Sequence, residues 1–64
     1  MIKEFMIVRL RTGEKAVIMD ILADTVFIAE INPNKANERL DEITLDDIVG
    51  IFSETKVLLP AEIA

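Results

Sequence analysis

The 64-residue chain contains no Cys, His, Trp or Tyr, and only two Gly and two Pro. Each absence closes off some chemistry. Without Cys there is no disulfide framework and no thiol nucleophile, and without His there is no imidazole base. With neither, a zinc site of the usual ligand set is excluded. No uncharged apolar run approaches the roughly 18 residues of a transmembrane helix, so a membrane is not an expected partner. Met1-Ile2-Lys3-Glu4 places an acid where a signal peptide carries bases, and Arg9 interrupts the apolar residues that follow. The expectation is a cytoplasmic protein. There is no linker, repeat or low-complexity stretch, and residues 1–64 read as one domain.

What is abundant is aliphatic side chain. Hydrophobic residues make up 52% of the chain, with ten Ile, six Leu and five Val. A domain of about 60 residues buries only about 60% of the surface its unfolded chain exposes. So many large aliphatics do not fit one small core. The surplus implies an apolar surface patch, which commonly marks an interface. The plainer alternative leaves those residues exposed singly, as in any protein.

Period-two patterning and turn residues predict five strands. Phe5–Arg11 points Met6, Val8 and Leu10 one way and Ile7, Arg9 and Arg11 the other. Thr12-Gly13-Glu14 supplies a turn. Lys15–Leu22 follows, with Val17, Met19 and Ile21 on one face and Asp20 on the other. After Ala23-Asp24-Thr25 comes Val26–Ile31, whose two faces both carry bulky apolar groups. Asn32–Arg39 is polar, holds Pro33, and reads as an exposed loop. Leu40–Thr44 and Ile48–Phe52 are the last strands, joined at Leu45-Asp46-Asp47 by a tight turn or one turn of 3₁₀ helix. A rival reading makes a helix from Thr44 onward, with Thr44 and Asp47 as a capping box. Gly50 and the β-branched Ile48, Val49 and Ile51 oppose it. Five short strands in about 50 residues suggest an all-β, five-stranded, strongly bent SH3-like barrel. Its open edges and apolar surplus together point to copies joining head to tail.

The order of motifs resembles that of Sm-like (LSm) proteins, including the bacterial host-factor type. Val8-x-Leu10-x-x-Gly13, then Asp24, then Val26-x-Ile28, is similar to the first signature of that family. Asp47-Ile48-Val49-Gly50-Ile51 is similar to the second, and the likeness spans residues 5 to 53. The resemblance implies the small-barrel fold and a homo-oligomeric ring of about five to seven copies, closed by strand pairing between subunits. It also implies binding of single-stranded RNA, often uridine-rich. Candidate subunit-interface residues are Val26, Ile28, Ile43, Val49 and Ile51.

Three departures stand beside the likeness. Only four residues precede Phe5, so the family's N-terminal helix is short or absent. Val26 stands where bacterial members place a stacking aromatic, forfeiting about 1–3 kcal/mol per base. The turn Leu45-Asp46-Asp47 carries carboxylates where the family carries basic groups. The usual RNA pocket is therefore degraded.

Charge gives a second candidate surface. Residues 1–19 hold four cations against two acids, a net of +2, whereas residues 20–64 hold three against ten, a net of −7. Arg9, Arg11 and Lys15 are the candidate RNA-binding residues. The plainer alternative is that they keep an exposed strand soluble. The acidic cluster Asp41, Glu42, Asp46 and Asp47 lacks calcium-loop spacing and reads as a solvated turn. No nucleophile with a base is apparent, so no enzymatic activity and no cofactor is expected. Phe5, Phe27 and Phe52 read as core residues. The tail Lys56–Ile63 resembles a segment of swapped-hairpin transition-state regulators. The basic residues DNA requires are missing, so DNA is not an expected partner. A protein scaffold without nucleic-acid binding is the alternative function.

Overall fold

The computed structural model describes residues 2–53. The tail, with its Val57-Leu58-Leu59-Pro60 segment, lies outside the described residues. The strands are β1 (Ile7–Leu10), β2 (Lys15–Ala23), β3 (Val26–Ile31), β4 (Arg39–Thr44) and β5 (Ile48–Ser53). They form one antiparallel sheet in the order β4-β3-β2-β1-β5. The fold is all-β, as the patterning predicts. Among the described residues there is no α-helix, and no helix long and apolar enough to cross a membrane.

One face of this sheet supplies the whole core. Met6, Val8, Leu10, Ala16, Ile18, Phe27, Ala29, Ile31 and Ile43 are all buried. A flat single sheet leaves that face wet unless another layer covers it. The sheet must therefore curl onto itself, and the register shows where it bends. Between Ile18 and Asp20, and again between Ile21 and Ala23, β2 spends two residues against one on β3, leaving Met19 and Leu22 as the extra residues. Between Ile7 and Val8, and between Arg9 and Leu10, β5 does the same against β1, leaving Phe52 and Val49. Bulges of this kind bend the bulged strand and increase its twist. All four extra residues are exposed.

The bulges also correct the expected faces. Strict alternation puts Val17, Met19 and Ile21 on one side of β2. Before the first bulge alternation holds, with Ala16 and Ile18 buried and Val17 half-buried; past it Ile21 pairs with Phe27, out of phase with Val17, and Met19 and Ile21 are both exposed. β1 begins at Ile7 rather than Phe5. Phe5 sits at φ 70°, a left-handed conformation incompatible with a strand, while its N–H still donates to Ile18 O at 2.6 Å. Only Phe27 of the three phenylalanines is core; Phe5 and Phe52 are exposed.

From Thr44 onward the helical alternative fails after one turn. The Asp47 carboxylate accepts from the Thr44 N–H at 2.8 Å and from its hydroxyl at 3.2 Å. The capping contacts exist, yet the chain makes only the 3₁₀ turn Leu45–Asp47 before entering β5. Leu45 N–H donates to Thr25 O at 2.9 Å and Arg11 N–H to Asp47 O at 2.7 Å, which ties this turn to two others.

Candidate functional site

Among the described residues, β4 and β5 are the two edges of the sheet. An edge strand presents unpaired N–H and C=O groups that can add another strand. The two edges are built differently. β4 runs beside β3 through six successive pairs with no shift, and Arg39, Asp41 and Glu42 are exposed along it. Leu40 is its one large exposed apolar residue. β5 carries Val49, Ile51 and Phe52, which are 55%, 53% and 46% exposed. Beside β5 lies an open, mostly apolar cleft of about 580 Å³ lined by Ile2, Leu45, Ile48, Val49, Ile51 and the acidic Asp24.

The expected interface residues separate into three places. Val49 and Ile51 lie on the β5 edge. Val26 and Ile28 are half-buried on the outer face of β3, inside the sheet order rather than at an edge. Ile43 is only 5% exposed and its side chain packs in the core, so on the β4 edge it offers a partner its backbone rather than its side chain. It occupies the inward position of β4, opposite Phe27.

The basic residues also separate. Arg9 and Lys15 are direct partners across β1 and β2. Both reach the ring of Phe52: the Arg9 guanidinium carbon is 4.6 Å and the Lys15 Nζ 4.9 Å from its centroid. These are cation–π distances. Gly50 lies opposite Arg9 on β5 and leaves its side chain room beside that strand. Arg9 Nη1 also donates to Gly13 O at 2.9 Å. Arg11 is directed elsewhere, since its guanidinium donates to Asp46 O in the 3₁₀ turn. A cleft of about 580 Å³ between the β1–β2 turn and the β3–β4 loop adds Lys35 to Arg9 and Lys15.

That cleft is held in shape by Glu14. Its carboxylate accepts a bidentate pair from Arg39 Nη1 and Nη2, both at 3.1 Å. It accepts also from Asn32 Nδ2 at 2.7 Å and Thr12 Oγ1 at 2.9 Å. The Arg39 hydrogen bonds, then those from Asn32 and Thr12, hold the Glu14 carboxyl down to about 2. The same contact raises Arg39 above its ordinary value. Glu14 thus joins the β1–β2 turn to the start of β4, and its negative charge is neutralised locally.

Sequence reasoning missed Phe52. The available signal was the final strand's shift from Ile48-Val49 to Gly50-Ile51-Phe52, but its bulges are not readable from alternation. The turn Leu45-Asp46-Asp47 brings no cation to the site, and Asp47 is engaged with Thr44. Among the described residues no group of three or more acidic side chains is arranged to hold a metal ion. Comparison with protein-family models, curated proteins and solved structures gives no match.

Proposed function

We propose that the protein is a non-enzymatic module that assembles edge to edge into a closed homo-oligomer and presents its basic surface to single-stranded RNA. The observation that carries the assembly is the pair of unlike sheet edges among the described residues. β5 exposes a run of apolar residues beside an apolar cleft, and β4 exposes charge around Leu40. An edge that differs from its opposite favours head-to-tail contact, and head-to-tail contact closes into a ring when the rotation permits. The Sm-like motif order in residues 5 to 53 supports a ring of this type, in a cytoplasmic setting.

Light scattering after size-exclusion chromatography tests the assembly. A mass of several chains is expected, and a single-chain mass overturns it.

RNA binding rests on a separate observation, the convergence of Arg9 and Lys15 on one exposed aromatic ring. The uridine pocket implied by the motif resemblance has no such group, because Val26 and the acidic turn occupy it. The competing function, a protein scaffold without nucleic-acid binding, takes over if single-stranded RNA fails to bind at low salt.

A further inference from the structure

Arg9 and Lys15 face each other directly across an antiparallel pair. Like charges in that position are destabilising, because nothing between them offsets the repulsion. Here the Phe52 ring lies within 5 Å of both cations. Its negative face offsets part of the repulsion but carries no full charge. Among the described residues, neither cation forms an ion pair; Glu14, which lines the same cleft, is engaged by Arg39. The spot is positive and aromatic-floored on a chain of net charge −5.

We infer that Phe52, Arg9, Lys15 and Lys35 form a subsite for a nucleoside phosphate, with the phosphate between Arg9 and Lys15 and the base against Phe52. The inference rests on the RNA-binding reading and gives it an address. Phe52 supplies the π face that Val26 does not. Its bulged position on β5 leaves it 46% exposed beside the two cations. Lys35, lining the same cleft as Lys15, is placed for a second phosphate along a strand. Arg11 has no part in the site, since its guanidinium is turned to Asp46 O in the 3₁₀ turn and not to Phe52. The chemistry is shared by a free nucleotide and by a single strand of RNA, and the probes separate the two.

The test is fluorescence anisotropy of the full chain with a labelled mixed-sequence RNA 12-mer at low salt. Phe52→Leu keeps an apolar side chain on β5 and removes the π face. Binding weaker by roughly five- to a hundredfold is expected, the loss of about one stacked base. Lys15→Gln should weaken binding and reduce the slope of log affinity against log salt by about one. Arg11→Gln should leave both unchanged. Circular dichroism checks that each variant is folded. Displacement of the 12-mer by adenosine or uridine monophosphate assigns the site to nucleotides as such. Displacement only by unlabelled oligonucleotide assigns it to a strand, and either result supports the subsite. Equal binding by wild type and Phe52→Leu overturns the subsite while leaving RNA binding intact. Dextran sulfate displacing the RNA as well as oligonucleotide does also overturns it, because charge alone then suffices. Absence of any binding by the wild type removes the RNA reading itself.

Discussion

The two edges of one sheet solve the same problem in opposite ways. β4 keeps an unshifted register against β3 and exposes Arg39, Asp41 and Glu42 along its length. Charges on an edge strand discourage unplanned pairing. β5 is bent by two bulges and turns Val49 and Phe52 outward beside Ile51. The core depends on β4 through Ile43, its single buried residue. On β5, among the described residues, only Ile48 packs against the core, and then partly. Stability and recognition are thus divided between the edges, and substitutions on each should have different readouts.

The largest effect on folding is expected on β4. Ile43→Ala removes a buried side chain opposite Phe27 and should cost about 2–5 kcal/mol in denaturant-unfolding free energy. On β5, Ile51→Lys places a charge on an already exposed position. It should keep the circular dichroism of the wild type while the assembly mass in light scattering falls to that of a single chain. If Ile43→Ala proves mild and Ile51→Lys unfolds the protein, the division of labour is reversed.

Acid should act on one edge before the other. Glu14 holds Arg39 at the start of β4, and β5 has no such clasp among the described residues. The folded carboxyl titrates at about 2, below its ordinary 4.5, so the unfolded chain binds more protons between those values. The stabilisation is therefore complete above the unfolded value and is lost as the pH falls from about 5 towards 2. Amide exchange should rise in β4 before β5 over that range. In Glu14→Gln the acid-dependent part of the β4 increase should vanish. Parallel profiles for wild type and variant would show that the clasp contributes nothing.

What the sequence made legible follows from which rules stay local. Alternation located all five strands, because Met6, Val8 and Leu10, or Phe27, Ala29 and Ile31, keep a strict period of two against an inner face. The Thr44–Asp47 turn was readable from its residue types. Alternation failed wherever a bulge inserts a residue, as at Met19 and Leu22, since the extra residue is defined only by the partner strand. The same failure hid Phe52, which a regular strand would have given no special exposure. The burial of the Ile43 side chain was hidden for a related reason. Exposed and buried aliphatics are alike in type, and only the pairing with Phe27 separates them. The basic residues were visible as a group, but their division depends on contacts with Phe52 on one side and Asp46 on the other.

The smallest expected effect tests whether the apolar edge tolerates change on its own account. Gly50 sits on β5 opposite Arg9, outside the left-handed region, and an added Cβ would meet Arg9 Cβ at 3.9 Å, an ordinary contact. Gly50→Ala should therefore change stability by no more than about 0.5–1 kcal/mol, and in the stabilising direction if the unfolded chain loses freedom. Gly13 is the control. It has open space around it, but its φ of 97° strains any side chain, so Gly13→Ala should cost about 1–2 kcal/mol. Thermal midpoints of the two variants measure the difference. A large loss at Gly50 would mean that β5 requires that glycine for a close approach the single chain does not make, which is the contact an incoming β4 edge would supply.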